Sequence, residues 1–89
     1  MKRLAFHVTG RVQGVGYRRF VERQAQAFAI AGFVRNEADG TVTGEAEGHD
    51  AAIEEFVDGL RRGPAFARVD EVELEPRACT GDSGFLVRR

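Results

Sequence analysis

The chain has 89 residues, 43% of them hydrophobic and 30% charged, with a net charge of −1. That is enough for one small globular domain and leaves no room for a second core, and it gives no overall pull toward nucleic acid or an anionic membrane. The single cysteine, Cys79, excludes an internal disulfide and suits a reducing compartment. The apolar part of the start, MKRLAFHVTG, is too short for a signal peptide, and no run approaches a membrane span, so a cytoplasmic protein is expected.

The first element is a strand. Arg3 to Thr9 alternates, with Leu4, Phe6 and Val8 on one face, the pattern of a half-buried strand. The glycine-rich stretch GRVQGVGYRR follows, Gly10 to Arg19, and leads into a helical pattern predicted over Tyr17 to Ala31. Phe20, Gln24, Ala27, Phe28 and Ala31 fall at helical spacing, with Val21 beside them. Gly32 is the expected C-cap. Phe33 to Asn36 reads as a second strand, Asp39-Gly40 as a hairpin turn, and Thr41 to Gly48 as a third strand. That third strand turns Val42, Gly44 and Ala46 inward and Thr43, Glu45 and Glu47 outward. Asp50 can cap a second helix, Ala51 to Arg62, with Ile53, Phe56, Val57 and Leu60 on one face and Gly63-Pro64 as its stop. Val69 to Leu74 gives a fourth strand, Arg77 to Ser83 a polar loop, and Phe85 to Val87 a short last strand.

The order βαββαβ fits an α+β, ferredoxin-like sandwich: a mainly antiparallel sheet with both helices on one face. In such a fold the first two strands run parallel, so their C-terminal ends share one edge. The glycine stretch leaves the first of these ends and Asn36 sits near the second, so the two converge.

A glycine-rich turn between a strand and a helix N-terminus is a place to bind an oxyanion. Glycines let several backbone N–H groups face one anion, the helix start adds free donors, and an arginine such as Arg18 adds a two-pronged fork. The stretch lacks a Gly-Lys-Ser/Thr ending and contains no GxGxxG, so it is neither a Walker A loop nor a dinucleotide fingerprint. No serine or cysteine lies in it to carry a phosphoryl group. His7 and His49 show no ligand spacing, and neither a metal site nor a cofactor is expected.

Taken whole, GRVQGVGYR resembles the signature of the acylphosphatase family, close to Gly-x-Val-Gln-Gly-Val-x-aromatic-Arg. A second family element, Gly-x-Val-x-Asn, appears as Gly32 to Asn36. The resemblance covers essentially the whole chain and implies one stand-alone domain over residues 1–89 with a ferredoxin-like fold. It also implies hydrolysis of acyl phosphates, with Arg18 and Asn36 as the catalytic residues. Gly10, Arg11, Val12, Gln13, Gly14, Val15, Gly16 and Tyr17 are the expected phosphate-binding loop, Gln13 bracing it. Arg18 rather than Arg19 matches the family's arginine, directly after Tyr17. Family members vary at the position held here by Gly16.

The chemistry agrees with so sparse a set of residues. An acyl phosphate leaves a carboxylate, a weak base that departs without a general acid. Holding the phosphoryl group, neutralising it and placing a water in line then suffice, without a metal. The expected partners are a small acyl phosphate, with inorganic phosphate or sulfate as competing anions; a monomer is expected, with no nucleic acid or membrane partner. The alternative is a non-catalytic module binding a phosphorylated ligand. RNA binding ranks lower, because the third strand presents Thr43, Glu45 and Glu47 and no aromatic. A domain of a large carbamoyl-phosphate-handling maturation protein also ranks lower, since the sequence ends at residue 89.

Overall fold

The computed structural model describes residues 1–89. Its elements are β1 (Lys2–Arg11), α1 (Tyr17–Ala27), β2 (Ala31–Asn36), β3 (Val42–Gly48), α2 (Asp50–Arg62), β4 (Arg68–Arg77) and β5 (Phe85–Arg88). The five strands form one sheet in the order β4-β1-β3-β2-β5. Strand β3 pairs antiparallel with both β1 and β2, so β1 and β2 run parallel to each other with one strand between them. Strand β4 adds antiparallel to β1, and β5 adds parallel to β2. The fold is the expected α+β ferredoxin-like sandwich, with β5 as an additional edge.

The alternating residues of the first strands explain the layering. Leu4, Phe6, Val8, Val34, Val42 and Ala46 share one buried cluster with Val21 and Ala25 of α1 and Ile53, Phe56 and Leu60 of α2. Both helices therefore cover the same face of the sheet, and the other face carries the polar half of each alternation. Phe56 meets the ring of Phe6 edge-on, 5.8 Å between centroids, a geometry that adds to burial.

Helix α1 stops four residues earlier than its apolar pattern predicts. Ala29 takes a left-handed conformation, φ 54°, while Ile30 N–H donates to Ala25 O at 2.8 Å and Ala29 N–H to Gln26 O at 3.4 Å. This is a Schellman closure with alanine where glycine is usual. Gly32 is thus no cap; it lies inside β2, packed against the Glu45 carbonyl. The buried stripe of α1 is correspondingly Tyr17, Val21 and Ala25, and Ala27 is exposed. In α2, His49 takes the N-cap position and Asp50 falls in the first turn, where its charge complements the helix dipole.

Glu47 is the other departure. It points to the open face as the alternation requires, yet it is only 3% exposed. The segment 78–84 lies over it, and the N–H groups of Thr80 and Gly81 donate to its two carboxylate oxygens at 2.8 and 3.0 Å. Arg3, itself 5% exposed, donates to Glu47 at 3.0 Å and to Glu45 at 2.7 Å. The Thr80 N–H and the guanidinium hold the Glu47 carboxyl below its ordinary range despite burial.

Left-handed alanine costs about 1–2 kcal/mol over glycine, partly offset by the extra freedom glycine has in the unfolded chain. Ala29→Gly is therefore expected to stabilise the protein by about 0.5–1 kcal/mol, raising Tm by a few degrees. Calorimetric melting checks this; an unchanged or lower Tm would show that Ala29 is not strained.

Candidate active site

The link between β1 and α1 is pinned by side chains at alternate points. Val12 and Tyr17 are each 1% exposed, and Val15 packs against the same core. Between them Gly14 and Gly16 have φ of 74° and 78°, the left-handed region that glycine enters without steric cost. A Cβ at either position would meet nothing within 4 Å, so it is the backbone conformation and not a lack of space that calls for glycine. Gln13 ties this loop to the neighbouring turn: its Nε2 donates to the carbonyls of Glu37 and Thr41 at 2.8 and 2.9 Å.

The consequence is a run of unused donors. From Val12 to Arg19 no backbone N–H donates to any backbone or side-chain acceptor of the protein; the first helical bond is Phe20 N–H to Gly16 O. Adjacent left-handed and helical residues make such donors converge into an anion-binding concavity, and the helix start adds partial positive charge.

These residues line a cavity of about 330 Å³ walled by Val12, Gly14, Gly16, Tyr17, Arg18, Arg19, Asn36, Val87 and Arg89. The lining contains three arginines and no acidic side chain. The convergence of loop and Asn36 comes from the parallel run of β1 and β2, with Asn36 the last residue of β2. Of the expected loop, Gly14, Gly16 and Tyr17 reach the cavity together with Val12. Gln13 braces the loop from behind. Gly10 and Arg11 belong to β1: Gly10 sits at a register shift against β4, where a Cβ would meet the Arg68 carbonyl at 2.1 Å.

The two expected catalytic side chains differ in how they are held. Arg18 Nη1 donates to the Arg88 carbonyl at 2.8 Å, which orients the guanidinium and leaves its other donors free. The Asn36 side chain makes no hydrogen bond, and its Oδ1 is buried without a partner. An unpaired buried acceptor costs about 1–3 kcal/mol, a cost that marks a site completed by something other than protein. Arg19, 70% exposed, pairs with Glu22. Tyr17 is anchored in the core: its hydroxyl donates to Leu60 O at 2.7 Å, and burial pushes the phenol far up. Val87, Arg89 and the Arg88 carbonyl were not expected at the site. They come from β5 and the residue that follows it, and no local pattern announces the place of β5 beside β2.

A larger groove, about 500 Å³, crosses the open face of the sheet. Glu37, Glu45, Glu73 and Glu75 line it beside His7, Arg35 and Arg77, so it disfavours an anion.

The family model described as Acylphosphatase matches residues 4–87. The chain belongs to the acylphosphatase family. An acylphosphatase of Salinibacter ruber is 45% identical over 99% of this chain and 94% of its own length. One of Moorella thermoacetica is 48% identical over 97% and 92%. The crystal structure of acylphosphatase from Bacillus subtilis superposes with a TM-score of 0.96 at 36% identity, covering all of both chains. Hydrolysis of acyl phosphates is the activity of this family, and this chain is an enzyme of that class.

Tyr17→Phe separates anchoring from chemistry. Removing the hydroxyl leaves the Leu60 carbonyl unpaired and is expected to destabilise the fold by about 1–2 kcal/mol. KM and kcat of the folded fraction should stay near wild type. Urea unfolding with parallel kinetics checks this; a changed KM would assign the hydroxyl to the site.

Proposed function

We propose that this enzyme cleaves the carboxyl–phosphate bond by in-line attack of a water placed by Asn36 on a phosphoryl group held by the Val12–Arg19 amides and Arg18. The observation that supports it is the cavity itself: unpartnered amides, a pre-oriented guanidinium and an unsatisfied amide oxygen around one space without an acidic side chain.

The amides and Arg18 neutralise charge on the equatorial phosphoryl oxygens, and the fixed donors need no rearrangement as that charge moves. The Asn36 amide is both donor and acceptor, and its buried oxygen gains the partner it lacks when a water is seated. Carboxylate departs unprotonated. The substrate is a small acyl phosphate, inorganic phosphate and sulfate compete for the same donors, and the protein acts as a cytoplasmic monomer without nucleic acid or membrane partner. The donors that would replace a cation are all on the protein, so chelation is expected to leave the rate unchanged; loss of activity in EDTA, restored by magnesium, contradicts this.

Arg18→Ala is expected to weaken phosphate binding and to lower turnover together. Arg18→Lys should rescue little, because an ammonium lacks the planar fork. Asn36→Ala should cut kcat by about 10²–10³-fold, the scale of one well-placed polar group, with the phosphate inhibition constant nearly unchanged. Release of phosphate from benzoyl phosphate, with p-nitrophenyl phosphate as control and circular dichroism as a folding check, measures all of these. A folded wild-type protein that binds phosphate without hydrolysing benzoyl phosphate would instead be a binding module.

High phosphate should also raise Tm relative to chloride at equal ionic strength, by mass action on the folded state. An unmoved Tm argues against a formed anion site.

A further inference from the structure

Buried Arg3 and Glu47, with the partly buried Glu45, form an ion network that the proposed chemistry does not use. It lies at the start of β1 and the end of β3, where Lys2 pairs with Gly48 and Arg3 with Glu47, whereas the cavity lies at the opposite ends of β1 and β2. Burying such a cluster is costly unless every group is paired, and here the pairing extends to the segment 78–84. Arg3 Nη1 reaches Asp82 Oδ2 and Thr80 Oγ1, each at 3.1 Å. Glu47 accepts from the N–H groups of Thr80 and Gly81.

That segment has little else to hold it. All of residues 78–84 are exposed, and their other tie to the body of the protein is Gly84 O, which accepts from Gly32 N–H at 3.0 Å. The segment feeds β5, a four-residue edge strand paired on one side only, from Gly32↔Phe85 to Arg35↔Arg88. Its far end supplies Val87 to the cavity wall and the Arg88 carbonyl that holds Arg18, and Arg89 follows directly after it in the same wall.

We propose that Arg3 and Glu47 are positioning residues for the active site: by anchoring the 78–84 segment they hold β5 in place, and β5 holds the Arg18 guanidinium through the Arg88 carbonyl. This rests on the proposed role of Arg18. When the anchor is loosened, the fraction of molecules with Arg18 in position falls, and apparent affinity falls by the same fraction. Substrate at saturation restores the ordered state, so the effect falls on KM and not on kcat.

The test uses Glu47→Gln and the milder Asp82→Asn, each alone and combined with Arg18→Ala, in the full chain. Circular dichroism establishes folding. For folded Glu47→Gln, KM for benzoyl phosphate and Kd for inorganic phosphate are expected to rise about three- to tenfold with kcat unchanged; Asp82→Asn should shift both the same way by about twofold. In the Arg18→Ala background the added change should vanish, since both act on one group. A general loss of stability would lower the active fraction without moving KM and would add to Arg18→Ala. Unchanged KM and phosphate Kd, or equal factors in both backgrounds, overturn the proposal. If Glu47→Gln does not fold, Asp82→Asn alone decides it by the same criteria. Absence of benzoyl phosphate hydrolysis by wild type would sink the catalytic reading, while the phosphate Kd values would still decide the positioning.

Discussion

The amides of Val12 to Arg19 have no acceptor within the protein, and much of the fold exists to keep them that way. A flexible loop would turn such donors to water or to its own carbonyls. Here Val12 and Tyr17 are fixed in the core with Val15 packed against it, and Gln13 bolts the loop to the carbonyls of the next turn. The glycines absorb the backbone curvature those anchors demand. The donors are thereby preorganised, which is what stabilising a moving negative charge requires.

Sheet topology supplies the second half of the constellation. Because β3 is inserted between β1 and β2, the two parallel strands end side by side at a spacing of two strands, roughly 10 Å. The glycine loop leaves one of these ends and Asn36 stands at the other, and both line the same cavity. The β5 strand then closes the third side, so residues from the beginning, middle and end of the chain meet around one space. The whole arrangement uses a single layer of helices on a single sheet.

The glycine stretch and Asn36 were legible in the sequence because their chemistry is local: turn glycines, a helix start and an amide at a strand end. The ferredoxin-like fold and the parallel run of the first two strands followed from the element order. What stayed hidden was long-range. Ala29 closes α1 in a conformation that alanine does not advertise, and the apolar residues beyond it kept the helical pattern going. Glu47 fits an outward alternation, and nothing within its own strand tells that a segment more than thirty residues away will cover it. The β5 contribution was lost for the same reason: four residues reveal a strand but not its partner. Gly10 carried the right residue type for the loop, while its actual duty is close approach of β4.

The lining of the cavity has one more chemical consequence. An acyl phosphate is an activated carboxylic acid and can acylate amines and thiols as well as lose phosphate. Every cationic side chain around the cavity is an arginine, whose guanidinium stays protonated and is a poor nucleophile; the chain's sole lysine, Lys2, and Cys79 are not among the lining residues. The one hydroxyl among them, on Tyr17, is engaged with Leu60 and kept protonated by burial. The electrophilic carbon of an acyl phosphate seated there would meet no lysine, cysteine or free hydroxyl side chain able to capture it.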